Sequence, residues 1–313
     1  MSAQHEVTTL LRRALNGPSD FYRRRLSDAG VRSVTDIDSV TFTRLPLTRR
    51  DELVRDQLAH APKATRPVAD AAPPVRAGVT RSGDALLVLT WTANDLARER
   101  AAGARLFRRL GIEAGTPVAN TLPGALATPG SLLLGDVMEE IGALDVPLGT
   151  IDSDTAARQA WELVDRVQPG VLVLEPSTGA RFLAAAPETT RAWWRGIVWL
   201  RTDSTDVVAA APPSPLPGAG FTGWQRTWLA IAETTSFVAL SCAARRFHLD
   251  DGIIAEVVDD TTGAAIAPGE PGLLVVTPLG MDTLVLRYAS YTRARARADA
   301  CACGAAGPAV DVL

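Results

Sequence analysis

The sequence predicts an α/β protein with a mainly parallel sheet and flanking helices, followed by a C-terminal antiparallel β subdomain. Two observations carry this prediction. Between residues 85 and 201, short apolar segments alternate with helical segments of about 10–15 residues, which is typical of βαβ units. After residue 250, the apolar segments are separated only by turn clusters rich in Gly, Pro and Asp, which is typical of antiparallel strands.

The first part of the chain, residues 1–78, is expected to be helical with one long loop. A hydroxyl or acidic residue just ahead of residues 21–26 is suited to cap a helix there, and Gly30 is suited to end it. A second short helix is expected from Thr48, because acidic residues fill its first turn. Residues 61–78 are rich in Pro and Ala and predict a loop.

Residues 79–220 are predicted to form an α/β sheet subdomain. Helix starts are marked by Thr92, with Asp95 three residues later, and by Ser153. The predicted strands are Ala85–Trp91, 117–122, 143–147, 171–175 and 196–201, and the predicted helices are 92–110, 130–141, 153–167 and 176–186.

Residues 221–313 are predicted to hold a second sheet and a β subdomain. Its expected strands are the apolar segments Ile253–Val258, 273–277 and 283–288. Turn clusters at 259–263 and 268–272 are expected to connect them.

The composition is that of an ordinary globular protein and excludes several classes of function. The 313 residues carry 32 basic and 35 acidic side chains, a net charge of −3. Nucleic-acid and anionic-membrane binders usually have a basic excess, so neither partner is expected. No apolar segment approaches the roughly 20 residues that span a bilayer, and the N-terminus lacks a signal-peptide pattern. We therefore expect a cytoplasmic protein.

Three cysteines and one histidine in the last quarter of the chain form a candidate metal site. His248 follows Cys242 closely, and Cys301 and Cys303 form a tight pair. Three thiolates and an imidazole satisfy the tetrahedral preference of structural Zn²⁺, which would pin the entry of the β subdomain to its exit. From spacing alone, three free cysteines and a solvated histidine are an equal alternative, because the pair is closer than the usual ligand spacing.

Several segments have a recognisable pattern and occur in a fixed order. They are FYRRRLSDAGV with LPLTRRDEL, WTANDLARERAAGARLFRRLGIEAGTPVAN, TLPGALATPGSLLLGDVMEEIGALDVPLG, HLDDGIIAEVVDDTTGAAIAPGEPGLLVVTPLGMDTLVLRY and ACACG. Together they resemble the phenylacetate–CoA ligase branch of the adenylate-forming (acyl/aryl-CoA synthetase) superfamily over nearly the whole chain. The resemblance implies the large N-terminal part of an adenylating enzyme. It also implies zinc on the Cys/His set, which members of that branch can carry.

The pattern departs from the family at the residues that handle ATP. The phosphate loop ending in Gly-Lys-Pro is matched by the shorter segment 80–85, which has no lysine and contains Asp84. Thr235 stands where the family has the Mg²⁺-binding glutamate, and Thr292 where it has the ribose-binding aspartate. The chain ends at Leu313, about where the C-terminal lid domain with its catalytic lysine would begin. Because phosphoryl chemistry needs cationic clamps, we expect neither ATP nor Mg²⁺ as a cofactor.

The organic-substrate pocket of the family is expected to survive. Its tryptophans are suited to stack on an aryl group, although core packing is the ordinary role of each. The candidate catalytic groups are the acid/base residues Glu233 and Asp203, with the hydroxyls of Thr234 and Thr235 as donors. The candidate substrate-binding residues are Thr121, Gly124, Leu126, Thr128, Trp199, Trp228 and Ile231.

Three functions are compatible with these residues. The first, which we expect, is an ATP-independent enzyme of specialised (natural-product) metabolism. It acts on an aryl or polyketide-like acid, ester or thioester by acyl transfer, cyclisation or a related rearrangement. The second is a non-catalytic scaffold for a biosynthetic partner enzyme or a carrier protein. The third is an aryl-acid adenylase or CoA ligase whose C-terminal domain is on another chain.

Overall fold

The computed structural model of the chain describes residues 3–17, 20–37, 41–60, 70–82, 85–124, 129–187, 194–203, 221 and 223–313. The candidate residues Asp84, Leu126 and Thr128 lie outside these ranges. The described strands form an 11-stranded mixed sheet and a separate two-stranded sheet, with helices packed against them. The predicted fold class is therefore confirmed.

The N-terminal region is helical, as predicted. Gly30 follows the second helix with a φ of +88°, a conformation that glycine adopts without strain. The helix predicted from Thr48 begins two residues later, because the backbone of Thr48 is hydrogen-bonded to Arg287 and Ala289. The elements are α1 (Ala3–Asn16), α2 (Asp20–Asp28), a 3-10 turn (Val34–Asp36), α3 (Thr41–Arg44) and α4 (Arg50–Ala59).

Two strands outside the main sheet form a hairpin. β1 (Arg76–Ser82) pairs antiparallel with β2 (Ala85–Trp91). The predicted loop at 61–78 therefore overlaps a strand, and β2 does not join the parallel sheet. Only two residues separate β1 from β2 in the sequence, which suits a tight hairpin and is too short for a parallel crossover.

The parallel part of the main sheet has the strand order β4-β3-β5-β6-β7. Thr92 and Ser153 cap α5 and α7 as predicted, since their hydroxyls accept hydrogen bonds from the backbone N–H groups of Asp95 and Ala156. The strands are β3 (Pro117–Asn120), β4 (Leu144–Pro147), β5 (Val171–Leu174), β6 (Gly196–Thr202) and β7 (Trp224–Ile231), and the helices are α5 (Ala93–Arg108), α6 (Ser131–Ile141), α7 (Asp154–Val167) and α8 (Pro176–Ala184).

The sheet continues into antiparallel strands in the order β10-β11-β12-β13-β9-β8-β7. Because β7 pairs in parallel with β6 and antiparallel with β8, hydrogen bonding crosses the predicted boundary at residue 220. The division into three regions stays a prediction. The further strands are β8 (Thr235–Ser241), β9 (Phe247–Leu249), β10 (Ile253–Val258), β11 (Pro271–Pro278), β12 (Tyr288–Arg297) and β13 (Ala309–Val312).

The predicted strand at 283–288 is wrong, because β12 starts only at Tyr288. The apolar side chains before it are buried, but their backbone follows an irregular path. The Leu286 N–H donates to the Tyr22 hydroxyl over 3.0 Å rather than to a neighbouring strand. Arg287 has a φ of +45°, which interrupts strand geometry directly before β12.

Apolar cores lie on both faces of the main sheet. One joins the N-terminal helices to the antiparallel strands, a second lies under α5 and α6, and a third lies under α7 and α8. Within the described ranges, no helix is long and apolar enough to cross a bilayer.

Candidate active site and metal cluster

Four polar residues meet at the carboxyl ends of two neighbouring parallel strands. Asp203 directly follows β6, Glu233 lies in the turn after β7, and Tyr288 and Thr292 lie on β12 beside them. The Thr292 hydroxyl donates to Asp203 Oδ1 over 2.8 Å. The carboxyl ends of parallel strands are where α/β sheets commonly place binding sites. We call these four residues the candidate active site.

Glu233 is held in a buried ion pair with Arg50 of α4. The two side chains are only 6% and 4% exposed. Glu233 Oε1 also accepts a hydrogen bond of 2.8 Å from the Thr80 hydroxyl. Arg50 Nη2 donates to the backbone carbonyls of Thr80 and Ala85 over 3.0 and 3.1 Å. Arg50 therefore ties the β1–β2 hairpin to Glu233, and it offsets the charge of a carboxylate that sequence reasoning had assigned to acid–base chemistry.

Asp203 has a strongly perturbed carboxyl group. It accepts hydrogen bonds from the Tyr291 N–H, over 3.0 Å, and from the Thr292 hydroxyl. Packing around the carboxyl raises the pKa of Asp203 to about 6, although these hydrogen bonds oppose the rise. The residue keeps part of its surface open to solvent. A carboxyl with this pKa exchanges protons readily near neutral pH.

Two buried donors near these carboxylates have no hydrogen-bond partner among the described residues. They are the Tyr288 hydroxyl and the Arg50 Nε–H group. Burial raises the pKa of Tyr288 well above its ordinary value, and the charges of Glu233 and Asp203 add to the rise. The phenol therefore stays protonated. Because an unpaired buried donor costs free energy, both groups are suited to donate to an oxygen atom of a ligand.

The two predicted threonines have partners within the protein. The Thr234 hydroxyl donates to the Ile231 carbonyl over 2.9 Å. The Thr235 hydroxyl donates over 3.0 Å to Glu99 of α5, which also accepts from the Ser236 N–H. Burial raises the pKa of Glu99 to about 7 in spite of these hydrogen bonds. A catalytic role for either threonine stays a prediction.

Most of the predicted substrate-binding residues make packing contacts. Trp228 stacks on Phe237, with ring centroids 4.9 Å apart, and is fully buried. Trp199 is 1% exposed and donates to Gln225 Oε1 over 3.0 Å. A substrate-contacting role for these residues stays a prediction. Ile231 and Thr121 are also buried, Gly124 is exposed, and Leu126 and Thr128 lie outside the described part of the chain.

Arg287, which precedes Tyr288, joins the N-terminal helices to the antiparallel strands. Its guanidinium makes a bidentate pair with Glu256, with both hydrogen bonds 3.0 Å long. It also donates to the backbone carbonyls of Thr43 and Gly263 over 2.9 and 2.8 Å. The guanidinium N–H groups therefore donate to acceptors of the protein itself. We interpret Arg287 as a residue that positions the start of β12.

Sequence reasoning missed Arg50 and Glu99. Nothing in the sequence distinguishes Arg50 from the neighbouring Arg49, because their difference arises only when α4 packs against the hairpin. Glu99 did carry a signal. It lies one helical turn after Asp95 and on the face of α5 that contains the buried Ala102, which is an unusual place for a carboxyl group.

The four predicted metal ligands form one cluster, here called the metal cluster: Cys242, His248, Cys301 and Cys303. Their ligand atoms all lie within 4.8 Å of one another. The Sγ atoms of Cys242 and Cys301 are 3.5 Å apart, and Cys303 Sγ is 3.2 Å from His248 Nε2. Tetrahedral Zn²⁺ with Zn–S bonds of about 2.3 Å holds its sulfurs about 3.8 Å apart, so the geometry fits. The cluster forms because β9 pairs with both β8 and β13.

No protein-family model matches the chain, and no curated protein matches it. Solved structures do match. 2-Hydroxyisobutyryl-CoA ligase, in an open conformation in complex with 2-HIB-AMP and CoA, has a TM-score of 0.84 and 18% identity, over 98% of this chain and 72% of that one. The anthranilate CoA ligase AuaEII in complex with anthranoyl-AMP has a TM-score of 0.52 and 13% identity, over 74% of this chain and 46% of that one. MatB from Rhodopseudomonas palustris has a TM-score of 0.55 and 13% identity, over 79% of this chain and 50% of that one.

The chain therefore has the fold of the N-terminal part of adenylate-forming enzymes. Its structural neighbours are acyl- and aryl-CoA ligases of that superfamily. Across the structures of 2-hydroxyisobutyryl-CoA ligase, the chain spans 65–72% of the length of the matching protein. At these identities the likeness concerns the fold alone.

Proposed function

We propose that the chain is an ATP-independent enzyme built on the body of an aryl-CoA ligase of the phenylacetate–CoA ligase branch. Its substrate is an aryl or polyketide-like acid, ester or thioester of specialised metabolism in the cytoplasm. Its reaction is an acyl transfer, a cyclisation or a related rearrangement. The observation that carries the proposal is the buried ion pair between Arg50 and Glu233 beside the β1–β2 hairpin.

The contacts of Arg50 argue against a triphosphate at this hairpin, whose segment 80–85 matches the family's phosphate loop. A triphosphate needs unpaired cations and backbone N–H donors. Here the guanidinium is offset by Glu233 and donates to the carbonyls of Thr80 and Ala85. Releasing Arg50 to a phosphate would leave Glu233 buried and unpaired, which costs about 3–5 kcal/mol. Asp203 brings a second carboxylate that would repel the phosphates.

The chemistry that remains is proton transfer. Asp203, in its ionised form, is suited to remove a proton from a bound substrate and to return it later in the reaction. The unpartnered Tyr288 hydroxyl is suited to donate a hydrogen bond to a substrate oxygen on which negative charge develops. Glu233 acts through Arg50 and Thr80 as a positioning residue rather than as a base.

The test is turnover of a panel of aryl acids, esters and CoA thioesters by the purified chain, with and without MgATP, followed by mass spectrometry. We expect conversion that does not require ATP. Asp203→Asn should lower kcat by about 100-fold or more. Asp165→Asn on the exposed face of α7 is the matched control and should leave kcat unchanged. Because Asp203 acts as a base, kcat/KM should rise as the pH passes about 6.

Two outcomes would contradict this proposal and favour a different function. Tight, Mg²⁺-dependent binding of ATP with ATP–pyrophosphate exchange would favour the adenylase function. A chain that is inactive alone but raises the rate of a biosynthetic enzyme or of loading onto a carrier protein would favour the scaffold function.

The proposal also includes a structural Zn²⁺ in the metal cluster. Four protein ligands leave no open coordination position, so the ion would hold the cysteine pair against β8 and β9 and would take no part in the reaction. Elemental analysis should find about one zinc per chain. Cys301→Ser should lower this content, whereas Ala305→Ser, at a position outside the ligand set, should not. A chain purified without any metal would contradict this part of the proposal.

A further inference from the structure

A cleft of about 640 Å³ opens beside the metal cluster. It lies between the C-terminal end of α5, the start of β7, the end of β8 and the loop 303–306. This volume falls within the roughly 300–1,000 Å³ of typical small-molecule sites. We call it the arginine cleft, because Arg109 and Arg226 line it.

Among the described residues, the lining of the arginine cleft contains two guanidinium groups and no carboxylate. Neither Arg109 nor Arg226 forms an ion pair with an acidic residue of the described ranges. Arg246, which lies near the same metal cluster but outside the lining, does pair with Asp299. Cations without carboxylate partners in a concave site create a positive potential that attracts anions.

Arg226 is held in a defined orientation. Its guanidinium lies over the Trp224 ring, 5.7 Å from the ring centroid, and Nη1 donates to the Gln225 carbonyl over 2.6 Å. Stacking on an aromatic ring restricts a guanidinium while leaving its other N–H groups free to bind in a bidentate manner. The side chain is therefore organised before a ligand arrives.

The charge of the metal cluster does not neutralise both arginines. With a divalent ion bound, three thiolates would leave the metal cluster a net charge of −1, whereas Arg109 and Arg226 together carry +2. One positive charge is therefore left for a ligand. The lining of the cleft also includes the apolar side chains of Leu110, Leu240 and Ala243. A fitting ligand combines an anionic group with an apolar part.

The arginine cleft is separate from the candidate active site. Arg226 lies near the start of β7, whereas Glu233 follows the end of that strand. At about 3.3 Å per residue, the five steps from Arg226 to Ile231 span roughly 17 Å. A ligand in the cleft would therefore not touch Asp203.

We propose that the arginine cleft binds a small anionic molecule. Its carboxylate or phosphate group is held by Arg109 and Arg226, and its apolar part lies against Leu110 and Leu240. The proposal takes the zinc of the proposed function as bound, but it does not depend on the proposed reaction, so the arginine cleft and the reaction fail separately.

The test is isothermal titration calorimetry of the zinc-loaded full chain at low ionic strength. Benzoate and inorganic phosphate are the two probes, and they distinguish a carboxylate site from a phosphate site. At least one should bind with a stoichiometry of about one and should weaken as salt is added. Arg109→Gln and Arg226→Gln should each weaken binding by about tenfold or more. Arg226→Lys keeps the positive charge but loses the two-pronged guanidinium. Its affinity for the probe should therefore lie between those of the wild type and Arg226→Gln.

Arg158→Gln on the exposed face of α7 is the matched control and should leave binding unchanged. Measurements of zinc content and circular dichroism establish that each variant is folded. If Arg226→Gln loses zinc, the conclusion is drawn from Arg109→Gln alone. If neither probe binds more tightly than about 10 mM, the proposal is overturned. Binding that both glutamine variants leave unchanged overturns it as well, because the probe then occupies another site.

Discussion

Replacing Glu99 by Gln is expected to stabilise the protein at neutral and alkaline pH. The Glu99 carboxyl is 2% exposed on α5 and accepts hydrogen bonds from the Thr235 hydroxyl and the Ser236 N–H. No cation of the described residues pairs with it, and burial raises its pKa from the ordinary 4.5 to about 7. Glutamine keeps an accepting oxygen near the same place and carries no charge.

The size of the effect follows from this pKa. The unfolded chain releases the Glu99 proton near pH 4.5, whereas the folded protein holds it to about pH 7. Its contribution to stability is therefore complete below pH 4.5 and is lost as the pH rises through about 7. At about 1.36 kcal/mol per pH unit, the loss is about 3 kcal/mol. That is a substantial part of a typical stability of about 5–15 kcal/mol.

Urea unfolding followed by tryptophan fluorescence, repeated between about pH 4.5 and pH 8.5, measures this difference. The free energy of unfolding of E99Q minus that of the wild type should increase by about 3 kcal/mol as the pH rises from about 4.5 to about 8.5. Glu162→Gln on the exposed face of α7 is the matched control, and its difference from wild type should stay constant. A difference for E99Q that does not vary with pH would contradict this prediction, because the pKa of Glu99 would then be the same in the folded and unfolded states.

Three further perturbations test the packing and the metal cluster. Arg287→Ala should lower the free energy of unfolding by about 3–5 kcal/mol, because it leaves the half-buried Glu256 without its bidentate partner. A loss below about 1 kcal/mol, which is typical of a surface ion pair, would contradict this prediction. Gly196→Ala should lower Tm, because the added Cβ would collide with the Trp224 ring. Gly124→Ala is the control, because its added Cβ meets no atom of the described residues within 4 Å. Chelation of the metal should lower Tm and increase proteolysis between β12 and β13, and unchanged cleavage would speak against a structural ion.

Elements with local signals were predicted well. The caps at Thr92 and Ser153 and the end of α2 near Gly30 depend on hydrogen bonds and dihedral angles within a few residues, and these can be read from neighbouring positions. The segment 283–288 failed because its apolar, β-favouring residues are the local signal of a strand. Its N–H groups instead bond side chains from distant parts of the chain, such as the Tyr22 hydroxyl.

The metal cluster and the candidate active site differ in the same way. Cysteine and histidine have few common roles, so residue type singled out four candidate ligands, which the fold brings together, although their spacing alone left free cysteines as an equal alternative. Carboxylates and arginines are common, and their roles depend on what surrounds them. From the sequence, Glu233 and Asp203 were therefore equal candidates for acid–base chemistry. In the structure Glu233 is paired with Arg50, whereas Asp203 accepts from the Tyr291 N–H.

Local sequence patterns predicted the alternating helices and strands between residues 92 and 201, and residue type singled out the four members of the metal cluster. The packing of α4 brings Arg50, 183 positions before Glu233 in the chain, onto that carboxylate, and burial in the folded protein raises the pKa of Asp203. Ion pairing and desolvation act between residues that are neighbours in space. A linear pattern does not contain those neighbours until the sheet has formed.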